Sequence, residues 1–320
     1  MMSTVKKRTV GVIGLGHVGA HVAFALGLTG TADEVKLCDL NESKAVSERQ
    51  DLMDAVMFMP HRVNYTLAKY EEMGDCDVII NAIGKIDLCA TGNRDDEMGF
   101  TVPGVAGYID KVMAGGFDGV IINITNPCDV VTHLLATRSG LPKGRVFGTG
   151  TGLDTSRLVS AISQQTDVEH HSFTAYMMGE HGNSQMTPWS VVNFGGQPYT
   201  ELAKENKQYD FDTKELTERA IKGGWVTYQG KHCTEYGIAM TAVTMASAVL
   251  HDEKKIMAAS VALDGEYGEK GIFCGVPAVI GANGIERVVV FDLPTDELQA
   301  LKGCCATIRA NIAKADKLLQ

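Results

Sequence analysis

The chain reads as an α/β protein, with a doubly wound parallel sheet over residues 1–147 followed by a mixed α+β half over 148–320. Three observations predict it. Short β-rich runs alternate with helical stretches through the first half, a glycine-rich turn joins the first strand to the first helix, and the alternation stops at Gly148-Thr149-Gly150-Thr151-Gly152. A parallel neighbour is reached only through a crossover, so strand–helix–strand repeats build parallel sheets. At 320 residues the chain exceeds the ~250–300 at which single cores stop growing, so two domains are expected.

Residues 9–13, 35–38, 77–81, 120–123 and 146–147 predict strands. They are short and continuously apolar, as strands covered on both faces are. Residues 18–28, 43–57, 102–114 and 130–137 predict the crossover helices. Beyond the glycine cluster, 155–164, 212–221, 237–249 and 295–317 predict helices, with several short strand-like runs among them. The sequence contains no internal repeat or low-complexity segment. Its longest apolar runs, such as 78–80 and 288–291, fall far short of the ~20 residues needed to span a bilayer. Lys6-Lys7-Arg8 runs straight into a strand with no apolar segment or cleavage site, and a cytoplasmic location is expected. A net charge of -10 disfavours nucleic acid and anionic membranes as partners. The eight cysteines (Cys38, Cys76, Cys89, Cys128, Cys233, Cys274, Cys304, Cys305) form no C-x-x-C pair. Neither a zinc site nor a redox pair is expected, and most should be buried thiols.

Gly14-Leu15-Gly16-His17-Val18-Gly19 follows the first strand and opens the first helix. In that context the first two glycines permit a tight turn and close approach of a pyrophosphate, and the third lets helix pack on strand. This is the Rossmann dinucleotide fingerprint. Asp39, at the end of the second strand, is placed to accept hydrogen bonds from ribose hydroxyls and to repel a 2′-phosphate. Leu40, Asn41 and Glu42 supply no arginine for such a phosphate, so NAD is predicted over NADP. Capping of the helix that starts near Glu42 is the other role open to Asp39.

Leu153-Asp154-Thr155-Ser156-Arg157 and Gly179-Glu180-His181-Gly182-Asn183-Ser184-Gln185 supply the reactive groups. A guanidinium binds a carboxylate with two parallel hydrogen bonds and so orients the neighbouring carbon. A histidine paired with an aspartate exchanges a proton near neutral pH, the aspartate fixing its tautomer and stabilising the imidazolium. With a dinucleotide alongside, the set points to hydride chemistry at a carbon that bears OH and adjoins a carboxylate. Structural roles compete for each residue: a helix N-cap for Asp154, a surface cation for Arg157, an exposed ion pair for Arg94 beside Asp95, Asp96 and Glu97, and a turn for Asn126 before Pro127. Isolated histidines such as His17, His61 and His251 read as surface or packing residues.

The segments Gly14 to Gly19, Thr125-Asn126-Pro127-Cys128-Asp129, Gly148 to Arg157 and Gly179 to Gln185 resemble, in order and over essentially the whole chain, the L-lactate/malate dehydrogenase family. The resemblance implies an NAD-dependent enzyme that interconverts small 2-oxo and L-2-hydroxy acids and assembles as a homo-oligomer, dimer or tetramer. It implies that His181 is the proton donor and acceptor, Asp154 its partner and Arg157 the carboxylate clamp. It further implies that Asn126 is a partner of the reacting oxygen and, with Gly84, lies by the cofactor, and that Arg94, from Thr91-Gly92-Asn93-Arg94, polarises the carbonyl from a loop bracketed by Gly84, Gly92 and Gly99.

Between Gly84 and Arg94, where the family discriminates substrates, there is neither the arginine typical of malate enzymes nor the glutamine typical of lactate enzymes. The stretch is similar to the L-2-hydroxyisocaproate dehydrogenases, with Leu88 at the discriminating position and Asp87 as its rival. Gly223-Gly224 stands where lactate enzymes tend to carry two alanines, ahead of Thr234-Glu235-Tyr236-Gly237, and Asn183 stands where they usually carry Asp. Lost methyls make room for a longer side chain, which places Gly224 and Thr234 in the substrate pocket. The resemblance therefore implies medium branched aliphatic 2-oxo acids of the 2-oxo-isocaproate type. The alternatives are an L-lactate dehydrogenase acting on pyruvate and, outside the class, a non-catalytic NAD-binding protein. Val159 and Thr174 replace the arginine and histidine of enzymes activated by fructose bisphosphate, so that control is not expected.

Overall fold

The computed structural model describes residues 6–91 and 94–320, without the side chains of residues 89–91 and 94. The first half runs β1 (Thr9–Ile13), α1 (His17–Leu28), β2 (Glu34–Cys38), α2 (Glu42–Ala55), β3 (Asn64–Leu67), β4 (Val78–Asn81), α3 (Met98–Ala114), β5 (Val120–Asn123), α4 (Cys128–Ser139) and β6 (Val146–Gly148). These strands pair in parallel, β3-β2-β1-β4-β5-β6. Strand order reverses between β1 and β4, and an open α/β sheet binds ligands in the crevice beyond the carboxyl ends at such a point.

Every residue of β1, β4 and β5 is buried, because successive side chains enter different cores. Val10, Val12, Val78, Ile80, Val120 and Ile122 face the core that receives α1. Ile79, Ile121 and Val146 face the core built with α3 and α4. At the carboxyl ends of β4 and β5, Asn81 Nδ2 donates to Asn123 Oδ1 at 2.8 Å, and Asn123 Nδ2 reaches the Cys128 carbonyl at 3.1 Å and Thr132 Oγ1 at 3.0 Å. That buried polar knot ties the cleft floor to the start of α4. The edge strand β3 escapes a search for apolar runs because polar Asn64 and Thr66 alternate with Tyr65 and Leu67 and leave no continuous apolar stretch. Tyr65 is its one fully buried side chain, donating to the Ala23 carbonyl at 3.1 Å.

The second half contains α5 (Gly152–Thr166), β7 (Phe173–Thr174), β8 (Asn193–Phe194), β9 (Gln197–Pro198), α6 (Tyr199–Glu205), α7 (Thr213–Lys231), α8 (Tyr236–Leu250), β10 (Lys255–Asp264), β11 (Lys270–Gly281), β12 (Gly284–Val288) and α9 (Thr295–Leu318). The fold class is the one predicted, a Rossmann-type sheet followed by an α/β half. One feature differs from a self-contained second half. Only β7, β8 and β9 form a separate small sheet, whereas β10, β11 and β12 extend the first one, in the order β12-β11-β10-β6. The seam is antiparallel and rests on a single register pair, Ser260 with Gly148. Helix α7 also runs to Lys231, past the expected end at 221, because glycines cost a helix about 1 kcal/mol each without stopping it.

Among the described residues no helix is long and apolar enough to cross a membrane. The seven described cysteines are all free and buried.

Candidate active site

Two glycines of the cofactor loop are required by close contacts and the third faces open space. Gly14 has φ +89°, and a Cβ there would lie 2.7 Å from the Ile83 nitrogen. At Gly19 a Cβ would lie 1.8 Å from the Gly14 carbonyl oxygen, so only glycine lets α1 seat this closely. At Gly16 a Cβ would meet no described atom within 4 Å. That open space lies at the N-terminus of α1, where backbone N–H groups favour a phosphate. Asp39 accepts the Leu15 N–H at 2.7 Å through Oδ2 and the Asn41 N–H at 2.8 Å through Oδ1. Capping of α2 falls instead to Asn41, which accepts the Lys44 N–H at 3.1 Å. Asp39 thus buttresses the glycine turn from the end of β2, and these residues fit a dinucleotide.

The opposite side of the site is a buried ionic chain. Residues three apart share a helix face, so the first turn of α5 presents Asp154 and Arg157 together. The N-cap of that helix is Thr151, not Asp154. Asp154 is fully buried, with Oδ1 accepting Arg157 Nη1 at 2.7 Å and Oδ2 2.5 Å from His181 Nδ1. An ionised carboxylate can only accept, so Nδ1 carries the proton and Nε2 is left for chemistry. The main chain of His181 is held as well: its N–H donates to Asp129 Oδ2 at 2.8 Å, and Asp129 Oδ1 accepts the Ser260 hydroxyl at 2.5 Å. Burial pushes the Asp129 carboxyl up to about 6, against the lowering effect of those bonds. Asp129 received no role from the sequence, although it lies in the quoted 125–129 segment.

Between these two sides opens a cleft of about 310 Å³. It brings together Gly16, Gly84, Asn126, Arg157, His181 and Thr234. Asn126 Oδ1 is buried there with no hydrogen-bond partner among the described residues. A buried acceptor left unmet costs about 1–3 kcal/mol, which marks Asn126 as a candidate to bond a molecule in the cleft. Two expected pocket residues are not in the lining. Leu88 is 39% exposed, and Asp87 lines the cleft in its place. Residues 86–91 form a 3-10 turn, in which neighbouring side chains point about 120° apart, so one faces the cleft and the next faces out. Gly224 is buried in α7 but likewise does not line the cleft, and its neighbour Gly223 is the one against Arg157, where a Cβ would lie 3.0 Å from Arg157 Cδ. Consecutive helical residues are about 100° apart, which is the reason. The Arg94 side chain lies outside the described residues. His17, Glu97 and Cys233, none of them foreseen, also line the cleft.

Residues 8–148 match the family of lactate/malate dehydrogenase NAD binding domains, and residues 151–319 that of lactate/malate dehydrogenase alpha/beta C-terminal domains. The chain belongs to the lactate/malate dehydrogenase family. An L-lactate dehydrogenase of Fusobacterium nucleatum is 35% identical over 307 residues, covering 95% of this chain and 96% of that one. L-lactate dehydrogenase 1 of Bifidobacterium longum is 38% identical, covering 96% and 98%. Among solved structures, the ligand-bound minor L-lactate dehydrogenase of Enterococcus mundtii aligns with TM-score 0.90 at 31% identity, covering 96% and 98%. This member of the lactate/malate dehydrogenase family is an NAD-dependent 2-hydroxy-acid oxidoreductase, acting on small 2-oxo and 2-hydroxy acids.

Proposed function

We propose that the enzyme reversibly reduces aliphatic 2-oxo acids larger than pyruvate, of the 2-oxo-isocaproate type, to their L-2-hydroxy acids. Gly223 carries this proposal: it does not line the cleft itself, but an alanine Cβ there would press on the Arg157 stem at 3.0 Å, so the glycine leaves the carboxylate clamp free to shift for a bulkier substrate. The sequence between Gly84 and Arg94 supports it, holding no arginine for a second substrate carboxylate, while Lys85, Ile86 and Asp87 from that stretch line the cleft.

In this reading Arg157 takes the substrate carboxylate by two parallel hydrogen bonds. His181 Nε2 gives a proton to the carbonyl oxygen during reduction and removes it during oxidation. Asp154 stabilises the imidazolium. Asn126 bonds the reacting oxygen or the adjoining cofactor, and Arg94 polarises the carbonyl. Bound NADH supplies the hydride.

L-lactate dehydrogenase is the second reading, because the relatives carry that name. Steady-state NADH oxidation with pyruvate, 2-oxobutyrate, 2-oxo-isocaproate, phenylpyruvate and oxaloacetate separates the two. An apolar pocket discriminates by only ~1–3 kcal/mol per methylene, so efficiency should climb gradually with aliphatic size. A pyruvate preference of an order of magnitude would establish the lactate reading, and absence of turnover with every acid would leave a binding protein.

We also propose a domain boundary at 147/148, close to where the two family matches meet. A homo-oligomer fits the apolar hollow of about 460 Å³ lined by Phe24, Leu28, Leu52, Tyr236, Ala239 and Met240, between α1, α2 and α8. Light scattering coupled to gel filtration tests it. Buried free thiols suit a reducing, cytoplasmic setting.

A further inference from the structure

No described residue of α9 lines the cleft, yet one face of that helix grips the segment that carries His181. Its buried face reads Leu301, Cys304, Cys305, Ile308, Asn311 and Ala315, an apolar stripe broken only by an asparagine that is 3% exposed. Cys304 Sγ donates to the Ser184 carbonyl at 2.7 Å, and a Cβ on Gly179 would lie 2.6 Å from that sulfur. Ser184 Oγ in turn donates to Glu180 Oε2 at 2.6 Å. Two turns along the same face, Asn311 Nδ2 donates to Glu180 Oε1 at 3.4 Å, and Asn311 Oδ1 accepts Lys314 Nζ at 2.8 Å. An ammonium only donates and a carboxylate only accepts, so the amide is fixed with its oxygen toward Lys314 and its NH2 toward Glu180. That side chain also hydrogen-bonds Asp95, the residue after Arg94. Burial and the Glu180 charge push the Asp95 carboxyl up, while Lys314 and Asn311 work to lower it.

We propose that Asn311 is a positioning residue, its amide bridging Glu180 and Asp95 so that the turn carrying Arg94 is held in register with His181. Glu180 precedes His181 and Asp95 follows Arg94, so one amide touches the sequence neighbour of each of two reactive residues. An amide NH2 has two protons, one for each carboxylate. The histidine side has further supports. Asp129 accepts the His181 N–H, Asp154 takes the ring, and Ser184 holds the second oxygen of Glu180. Removal of Asn311 therefore falls on the turn, and it leaves two carboxylates of like charge without the donor between them. The proposal rests on the role given to Arg94 and is independent of which 2-oxo acid the enzyme prefers.

A double-mutant cycle on the purified enzyme tests the bridge, read by steady-state NADH oxidation with pyruvate and 2-oxo-isocaproate and by fluorescence titration of NADH. Arg94→Gln removes the polarising cation, and kcat should fall by about 10² to 10³. Asn311→Leu keeps the bulk but removes both donors. Misplacing a reacting group by about 1 Å costs up to about 10², so its kcat should fall about tenfold to a hundredfold while the NADH Kd stays within about twofold. Asp95→Leu should do the same. Arg94→Gln combined with either variant should be no slower than Arg94→Gln alone, because a group already removed cannot be misplaced. Losses that multiply would overturn the proposal and leave Asn311 a packing residue. Full kcat in Asn311→Leu beside an impaired Arg94→Gln would overturn it and spare Arg94, whereas full kcat in Arg94→Gln would strike the role of Arg94 and the proposal with it. Asp95→Leu decides alone if Asn311→Leu does not fold.

Discussion

The two walls of the cleft are built in opposite ways. On the α5 side, Asp154 is fully buried, touches both Arg157 and His181, and backs a histidine whose main chain is tied to a second buried carboxylate, Asp129. On the facing side, residues 86–91 and Arg94–Glu97 are short 3-10 turns, and Lys85, Asp87 and Leu88 are exposed. On the proposed function, the contrast assigns a different kind of work to each wall. Proton transfer needs atoms held to a fraction of an ångström, and buried hydrogen-bonded side chains provide that. Selection among side chains needs only bulk and charge, which exposed positions such as Asp87 and Leu88 can vary at little cost to the fold, while buried Glu97 holds the turn by accepting the Lys85 N–H at 2.7 Å.

The sharpest way to break this division is Asp154→Asn. The amide preserves shape but cannot stabilise an imidazolium, so kcat should fall by about 10³ to 10⁴ with every 2-oxo acid, read by steady-state kinetics. A fall confined to one substrate would mean that the buried wall also selects.

Arg157→Ala comes next. The carboxylate is common to all substrates, and the variant also leaves Asp154 short of a cation. KM should rise and turnover drop for all of them, with kcat/KM lower by about a hundredfold or more. Unchanged kinetics would remove Arg157 from the clamp role.

Asp129 sharpens the comparison through stability. Its carboxyl is raised on folding, so between 3.8 and about 6 the folded chain binds more protons there than the unfolded chain does. Its contribution therefore turns unfavourable as pH climbs through that window. In urea unfolding at stepped pH, Asp129→Asn should lack this component of the decline. A variant that tracks the wild type across the window would show that Asp129 ionises as an ordinary aspartate.

The smallest effects belong to the exposed wall. Leu88→Ala and Asp87→Ala should each leave stability within about 0.5 kcal/mol, and Asp87→Ala should shift the ratio of efficiencies between 2-oxo-isocaproate and pyruvate more than Leu88→Ala does. The reverse ranking, measured by paired-substrate kinetics, would put Leu88 at the substrate.

What could be read ahead of the structure was local. Gly14, Gly16 and Gly19 declare themselves because they fall in one contiguous motif between a strand and a helix, although Gly14 meets its constraint at Ile83 across the fold, and Asp154 and Arg157 because three residues bring them to one helical face. Asp129, Ser260 and Asn311 gave no such signal. Their partners lie far along the chain, and an aspartate after a cysteine or an asparagine inside a helix looks ordinary until the fold closes. Leu88 and Gly224 each stand one position from the residue that lines the cleft or meets Arg157, for a related reason. Sequence spacing locates a segment well, but a turn or helix rotates by about 100–120° per residue, enough to exchange the residue that faces the ligand for its neighbour.

The seam between β6 and β10 has a consequence for recombination. Ser260 pairs in register with Gly148 and donates its hydroxyl to Asp129, which in turn holds the His181 main chain. A chimaera spliced at the glycine cluster would inherit Asp129 from one parent and both Ser260 and His181 from the other. The halves are thus not freely interchangeable cassettes: a graft brings a working histidine only if the donor's serine and the host's aspartate meet at the same depth.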